Sequence, residues 1–408
     1  MMATLLRTEG GIMINLAAFV GVLAVPATLW AQDQQLGART KAMGGSYSAS
    51  DDDPVALWHN PASIAGLLRG FALVYQTNVD YEIDIQNASS SQRGKAATKL
   101  SNGVIPSFIG GVFQLEPGMA LGVCYARPYH VKYVTDRLGI DPVGPDSMVE
   151  HSFSRFRVAL ARDFQLAEAG KGGIFTHLAF GIAADLGYLE SEYFIREVTA
   201  GPPMIVTIEN VDDSEFMPLG GAVGILAGLV EYPGSFKLNL GAAYHSPIEF
   251  DANLNTDRYP KLDMPQQVNA GLAAYLLNDL LLRVTLDFQW IQWSDTAPAP
   301  TMAGHPGLRD AFNYSLGFEY RIKLSDTVSV YPRAGYRIFD APWGDRNNLP
   351  MIGEHKLVLD TKASTFNIFT FGGGVRWTSD EGKARAIDLG VDVGGDSYNG
   401  AIGTSFEF

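Results

Sequence analysis

The chain ends in Ser397-Tyr398-Asn399-Gly400-Ala401-Ile402-Gly403-Thr404-Ser405-Phe406-Glu407-Phe408. Alternate residues of a β-strand share a face, and here one face is mainly apolar and aromatic while the other is small or polar. The apolar face carries Tyr398, Ile402, Thr404, Phe406 and Phe408; the other carries Asn399, Ala401, Gly403, Ser405 and Glu407. Strands of membrane β-barrels alternate in this way, with the apolar side toward lipid. The stretch therefore predicts the closing strand of an outer-membrane barrel.

The terminal Phe408 on the lipid side resembles the signal that bacterial barrel-assembly machinery reads, so this machinery is a predicted partner. An outer-membrane position also predicts contact with membrane lipid and lipopolysaccharide. The alternative is a soluble β-sandwich or a large periplasmic β-protein, in which the apolar face packs against a second sheet.

Residues 1–31 have the features of a secretory signal peptide. Arg7 precedes an apolar run from Ile12 to Val25, and polar residues begin at Gln32. Cleavage is predicted after Ala31, with Ala27 as the alternative site. A retained anchor is the other interpretation, although the run is shorter than the roughly 20 residues of a spanning helix. These features predict export to the outer membrane of a Gram-negative bacterium.

Composition excludes several functions. The net charge of −14 argues against nucleic-acid partners, because phosphate binding requires clustered basic residues. With one cysteine, Cys124, the chain cannot form an internal disulfide. The seven histidines have no metal-ligand spacing, and no cofactor is predicted. His245 and Ser246 are neighbours on a strand and face opposite sides, so they cannot form a catalytic dyad, and an enzyme is not expected.

Alternating segments separated by Gly, Pro, Asn and Asp recur from Phe71 onward and predict about fourteen strands in residues 69–408. An even strand number suits a bacterial barrel. The predicted runs are 69–86, 103–115, 118–135, 149–166, 174–197, 214–231, 234–251, 264–278, 280–294, 311–323, 326–340, 364–378, 384–394 and 397–408.

Residues 32–68 do not fit the strand series and predict a compact, irregular domain. They contain Gly37, the pair Gly44-Gly45, the run Asp51-Asp52-Asp53 and the turn-forming Asn60-Pro61. The acidic run lacks the alternating oxygen ligands and the glycine of a calcium loop, so a solvated turn is the favoured interpretation.

Four blocks of the chain together resemble the outer-membrane transporters of long-chain fatty acids and aromatic hydrocarbons typified by FadL. They are Gly37–Ala62; Ile105-Pro106 with Gly122–Tyr129; Gly241–Ile248 with Met264-Pro265 and Asp287–Ser294; and Leu308–Phe312 with Pro332–Tyr336 and Asp340–Pro342. Each block alone is weak, but their order and spacing are fairly specific.

This resemblance implies an all-β, antiparallel transmembrane barrel of about fourteen strands with an N-terminal hatch in its lumen. Gly44, Gly45, Asn60 and Pro61 would belong to the hatch. The implied function is passive uptake of a hydrophobic small-molecule ligand, above all long-chain fatty acids, by lumen binding and lateral release. Two alternatives stay open: a structural or secretion-accessory barrel of the same superfamily, and an outer-membrane lipase.

In the resembled family an inward kink of the third strand opens the barrel wall. Here that strand contains Pro128, which has no amide donor, and Gly122, which adds local freedom. A gap or bulge beside Pro128 is expected. Alternatively, Pro128 marks the end of the strand near a loop.

A fatty-acid carboxylate would pair with a basic residue, and Arg309 and Arg333 are the candidate ligand-binding residues. The alternative is that each arginine pairs with an acidic residue of a neighbouring strand. Asp185, Glu190 and Glu192 stand where typical transporters carry basic residues, which leaves the ligand headgroup open.

Overall fold

The computed structural model describes residues 35–67, 69–77, 81–87, 93–98, 106–135, 146–167, 173–199, 205–250, 263–296, 309–340, 351–352, 355–359, 365–379, 382–394 and 397–407. The predicted signal peptide, residues 1–31, and the terminal Phe408 lie outside this part of the chain. Residues 32–34 and 68, at the two ends of the predicted irregular domain, lie outside it as well.

Fourteen strands form one closed antiparallel barrel, which confirms the predicted fold class and strand number. Numbered in chain order, they are β1 (Arg69–Thr77), β4 (Phe108–Glu116), β5 (Met119–Thr135), β6 (Asp146–Gln165), β7 (Gly173–Thr199), β8 (Ile205–Tyr232), β9 (Phe236–His245), β10 (Gln267–Leu276), β11 (Leu282–Ile291), β12 (Ala311–Tyr320), β14 (Val328–Asp340), β17 (Thr365–Thr378), β18 (Ala384–Gly394) and β19 (Ser397–Phe406).

The remaining elements are short. A separate sheet has the order β15 (Met351–Ile352), β16 (His355–Leu359), β2 (Tyr81–Asn87), β3 (Arg93–Thr98), and β13 (Ile322–Lys323) pairs with β14. The helices are α1 (Ala38–Ala42), α2 (Ala56–His59) and the 3₁₀ turns Pro61–Ile64, Asn278–Leu280 and Trp293–Thr296. Within the described residues, no helix is long and apolar enough to cross a membrane.

The barrel closes because the first and last strands pair. Phe71 of β1 lies opposite Phe406 of β19, and β1 also pairs with β4, while β12 pairs with β14 across the loop that carries β13. Every strand of the ring thus has two neighbours, as lipid requires, since an unpaired edge would leave backbone donors and acceptors unsatisfied. The predicted pairing of the last strand with the first is confirmed.

The two faces of each strand follow the predicted alternation. On β18, Ile387, Leu389 and Val391 are exposed, whereas Asp388 and Asp392 are buried inside. On β9, Leu240 and Tyr244 are exposed and Asn239 and His245 are buried. The apolar face therefore points outward, and it does not pack against a second sheet as it would in a β-sandwich.

The predicted first strand, 69–86, was too long. β1 ends at Thr77, and residues 81–87 belong to β2 of the small sheet. Both segments alternate in polarity, so the pattern alone does not separate a wall strand from a strand of a connecting segment.

Candidate functional site

The lumen is occupied by residues 35–67, here called the N-terminal segment. All residues from 35 to 50 and from 53 to 65 are buried. α1 contacts β1, β14, β17, β18 and β19, whereas the turn Pro61–Ile64 contacts β5, β6, β7 and β8. These strands lie on opposite sides of the closed ring, and the segment that contacts them therefore lies inside it.

Glycines on the inner wall let the backbone of this segment approach the strands. A Cβ at Gly224 would collide with the Asn60 carboxamide, one at Gly241 with the Ser48 carbonyl, and one at Gly335 with the Gly44 amide. Comparable contacts occur at four other strand positions: Gly181, Gly317, Gly372 and Gly390. Seven strands thus lack side chains where the segment touches them.

Ion pairs join the acidic run of the segment to Lys237 and Arg283 of the wall and to Arg39 of α1. The Asp51 carboxylate lies 2.7 Å from Lys237 Nζ, and that of Asp52 lies 2.7 Å from Arg39 Nη2 and 3.1 Å from Arg283 Nη1. Asp53 is buried and accepts from the Val55 amide. The expectation of a solvated turn was wrong, because the partners of this run are bases that only the folded barrel brings close.

The charge state of Asp52 follows from these partners. Burial alone would raise the pKa of the Asp52 carboxyl, but the guanidinium groups of Arg39 and Arg283 outweigh this effect and hold the pKa well below its usual range. Asp52 therefore stays ionised at any physiological pH. This keeps the contact between segment and wall charge-assisted.

Arg157 of β6 is the most fully bonded side chain of the site. Its guanidinium donates to both Asp185 oxygens at 2.7 and 2.9 Å, to the carbonyls of Leu57 and Trp58 at 3.0 and 2.8 Å, and to His245 Nδ1 at 3.0 Å. These bonds use all five arginine N–H groups. His245 accepts at Nδ1, so its Nε2–H donates to the His59 carbonyl, 3.2 Å away. Three successive carbonyls at the end of α2 are thereby bound to the wall.

We expect Arg157→Met to destabilise the barrel by about 3–5 kcal/mol, because it leaves buried Asp185 and two backbone carbonyls without their main donor. Urea unfolding in detergent micelles, followed by tryptophan fluorescence, measures this loss. Arg309→Met is the control: Arg309 is 44% exposed in its ion pair with Asp340, and an ion pair with such an exposed partner contributes about 0–1 kcal/mol. Equal losses in both variants would contradict the assignment.

The predicted hatch residues lie in close contact with the wall. Asn60 donates to the carbonyls of Ser48 and Ile225, each at 2.9 Å, and accepts from the Ala62 amide at 3.0 Å. Pro61 is buried beside it. Gly44 and Gly45 have φ of 70° and 89°, a left-handed conformation that favours glycine.

The two candidate arginines for ligand binding are not brought together. Arg333 is buried, with Nε 2.6 Å from Glu319 and Nη1 2.6 Å from Asp388. Arg309 is 44% exposed and pairs with Asp340. The arrangement thus follows the alternative interpretation, acidic pairing across strands, and a ligand carboxylate would have to displace an existing partner at either arginine.

The wall is irregular at Pro128. Ala126 of β5 lies opposite Arg155 of β6, but the next pair is Tyr129 and Phe153, so Arg127 and Pro128 together oppose the single residue Ser154. On the other side, the pairing of β5 with β4 ends at Ala126, and the Arg127 amide donates to the Ser107 carbonyl. This is the β-bulge expected from the proline. Gly122, which precedes Pro128 in β5, faces Leu57 and Ile64 of the N-terminal segment.

A second buried apolar cluster joins inward-facing residues of five strands to described residues of the connections after β9 and β11. Its members come from distant parts of the chain and are all buried: Phe153, Leu189, Ile248, Phe250, Met264, Ile291, Trp293, Ala311 and Phe339. Phe153 borders the bulge directly, since its partner Tyr129 is the first paired residue after Pro128. The apolar cluster therefore reaches the barrel wall where the wall is irregular.

The roles of Arg157, His245 and the contact glycines were not predicted from the sequence. Glycines at inward positions of successive strands were a usable signal, because the lumen face of a strand otherwise carries polar side chains. No comparable signal marks Arg157, whose partner Asp185 is 28 residues away. Among the described residues, no group of three or more His, Cys, Asp or Glu is placed to hold a metal ion.

Comparison with known proteins gives one family match. The model of the family described as "Outer membrane protein transport protein (OMPP1/FadL/TodX)" matches residues 17–352. No curated protein matches the chain significantly.

Several solved structures are similar over almost their whole length. A Pseudomonas aeruginosa FadL homologue is 14% identical, with 91% of this chain and 96% of that chain covered and a TM-score of 0.57. The Ralstonia pickettii toluene transporter TbuX is 17% identical (91% and 98%, TM-score 0.57). The P. putida toluene transporter TodX is 15% identical (91% and 98%, TM-score 0.56). At this identity the likeness establishes a shared fold.

Proposed function

The chain belongs to the OMPP1/FadL/TodX family of outer membrane transport proteins, and from this premise we propose that it takes up hydrophobic compounds passively by lumen binding and lateral release. The observation that carries the proposal is the apolar cluster, which is separate from the apolar contacts between the N-terminal segment and the wall and lies among charged and polar side chains of the lumen. A pore for water-soluble molecules does not require an apolar surface. A hydrophobic ligand that passes from water to the bilayer requires one, because it binds there out of contact with water.

In this proposal residues 32–68 are the hatch domain and residues 69–408 the barrel. The ion pairs of Asp51 with Lys237 and of Asp52 with Arg283, the bonds of Asn60 and the close contacts at Gly224 and Gly241 support a closed position of the hatch. Water-filled passage along the barrel axis is then blocked. The ligand leaves through the wall, beside Pro128.

Long-chain fatty acids are the substrate class that we propose, and monoaromatic hydrocarbons are the second candidate. Among the similar solved structures, TbuX and TodX are toluene transporters. A cluster of nine buried residues drawn from five strands and two connections is more extended than a single aromatic ring needs, which favours a long alkyl chain.

Uptake by whole Gram-negative cells that lack their own transporter tests the proposal. Cells that express this protein are expected to take up labelled oleate faster than cells with an empty vector, and labelled toluene distinguishes the second candidate. Heat-modifiable migration on gels verifies that the barrel is folded in the membrane. If neither compound enters faster while the barrel is folded, the proposal is wrong and a structural or accessory role is favoured.

A further inference from the structure

Two rows of side chains line the inner faces of β9 to β12, at the end of the barrel where β9 and β11 end and β10 and β12 begin. The upper row is His245, Gln267, Ile291 and Ala311, and the lower row is Ala243, Asn269, Gln289 and Asn313. Within each row, every residue lies directly opposite the next. Beyond the lower row, the Asp287 carboxylate accepts from Ser46 Oγ and from the amides of Tyr47 and Ser48. The N-terminal segment therefore contacts the wall directly next to the lower row.

Two of the four amide side chains in these rows are satisfied by one another and by the backbone. The Asp340 amide donates to Asn313 Oδ1 at 2.9 Å, and Asn313 Nδ2 donates to Gln289 Oε1 at 2.9 Å. The other two are not: Gln267 and Asn269 are each 5% exposed, neither Gln267 Oε1 nor Asn269 Oδ1 has a hydrogen-bond partner among the described residues, and Asn269 Nδ2 lies 3.5 Å from His245 Nε2, which already donates to the His59 carbonyl. Buried acceptors without a donor are rare and costly, which points to a ligand group that donates.

The unsatisfied amides adjoin the apolar cluster. Gln267 lies opposite Ile291, and Ile291 lies opposite Ala311, both of which belong to the cluster. Met264, three residues before Gln267, belongs to it as well. An alkyl chain held in the cluster would therefore place a polar head beside these two amides.

The charges around the rows disfavour an anionic head. The described ionisable neighbours are the bases His245, Arg155, Arg157, Arg309 and Arg337 and the acids Asp185, Asp263, Asp287, Asp310 and Asp340; Arg157 bonds His245, Arg155 and Arg157 pair with Asp185, and Arg309 pairs with Asp340. Arg157 already uses all its donors, and Arg337 lies 3.7 Å from Asp392. A carboxylate would add negative charge next to carboxylates. It also has no proton to donate to an amide oxygen.

We propose that Gln267 and Asn269 bind the un-ionised carboxyl group of a long-chain fatty acid, with the alkyl chain in the apolar cluster; this inference rests on the proposed function. The acid O–H donates to an amide oxygen, and an amide N–H donates back to the acid carbonyl. Transfer of a carboxyl group from water to an apolar site raises its pKa, which favours the protonated form there. The recognised chemistry is a neutral O–H donor on a long chain, and an alcohol shares it.

The test uses Trp293, which is 2% exposed within the apolar cluster, as a built-in reporter. Three probes of equal chain length carry bromine, a contact quencher of tryptophan, at the far end: the fatty acid, the alcohol and the methyl ester of the acid. Quenching is measured on the barrel in lipid nanodiscs at about pH 5 and about pH 8. The Trp293→Phe variant gives the background from other tryptophans.

For the wild-type protein we expect the acid to bind about tenfold more weakly at the higher pH, while the alcohol binds equally at both and the ester binds weakly at both. Because the alcohol has no titratable group, a difference in its binding between the two pH values would come from the protein, for example from titration of His245. Gln267→Leu and Asn269→Leu should reduce binding of the acid at the lower pH to the level of the ester. They should reduce binding of the alcohol to that level at both pH values. Gln266→Leu is the matched control, because Gln266 is the next residue and accepts from the exposed Tyr244.

The outcomes separate this inference from the proposed function. Tighter acid binding at the higher pH means that a cation holds the carboxylate, and it overturns the inference while the transporter proposal stands. Unchanged acid and alcohol binding in folded Gln267→Leu and Asn269→Leu overturns it as well, and so does an ester that binds as tightly as the acid. If none of the probes quenches Trp293, the lumen does not bind long-chain compounds, and both proposals are wrong.

Discussion

Replacement of Gly224 by valine is expected to displace the N-terminal segment and open an aqueous path through the barrel. The valine Cβ would occupy the position of the Asn60 carboxamide, which donates to the neighbouring Ile225 carbonyl in the wild-type protein. The strand itself tolerates the change, since β-branched residues favour strands. Only the fit between segment and wall is lost, so the barrel should still fold.

The measurement is single-channel conductance in planar lipid bilayers. Wild-type protein should be almost closed, whereas Gly224→Val should give stepwise openings and make the segment accessible to added protease. Gly373→Val is the matched control: Gly373 lies opposite the exposed Leu389 on the lipid face, and an added Cβ there would meet only ordinary contacts, the nearest at 3.6 Å. A Gly224→Val barrel as closed and as protease-resistant as the control would refute the plug.

The fourteen strands were predictable because each alternates in polarity over its own length and is separated from the next by turn-forming residues. Lipid outside and a polar lumen inside impose this period of two on every strand, so no long-range information is needed. The pattern Ile387, Leu389, Val391 against Asp388 and Asp392 is one such local signal, and the structure places these residues outside and inside as predicted.

The interior could not be predicted in the same way. Arg39 is bonded to Glu319, 280 residues away, and Lys41 to Asp392, 351 residues away. Such pairs depend on strand register and on the position of the segment inside the closed ring. The acidic run of Asp51 and Asp52 therefore resembled a solvated turn, although the barrel supplies Lys237 and Arg283 as partners.

The feature at Pro128 could be predicted from the sequence only in part. The missing amide donor predicted an irregularity, and the register shift between Ala126 and Tyr129 lies at this position. Whether the irregularity is a route for the ligand depends on what lies behind it. The sequence does not reveal that Phe153, next to the bulge, is continuous with a cluster that includes residues near 250, 291 and 339.

Replacement of Pro128 by valine should slow uptake of a long-chain fatty acid without changing the amount of folded barrel. Valine restores a backbone donor and favours regular pairing, so the bulge that leaves Arg127 and Pro128 opposite Ser154 can close. One additional ladder hydrogen bond contributes about 1 kcal/mol, and a barrier raised by that amount slows passage about fivefold. Initial rates of labelled oleate uptake by whole cells, normalised to heat-modifiable barrel, give the comparison.

Pro332→Val separates this effect from that of a proline replacement in general. Pro332 lies in β14 opposite Gly373 of β17, in a register with β17 that has no interruption, near the short turn that precedes β14 and away from the apolar cluster. It should leave uptake unchanged. If Pro128→Val takes up oleate as fast as Pro332→Val and the wild type, the ligand does not leave beside Pro128. A ligand that enters the apolar cluster but does not depend on the bulge would then need another opening among the strands that border Phe153, because the N-terminal segment occupies the lumen and water is a poor medium for a long alkyl chain.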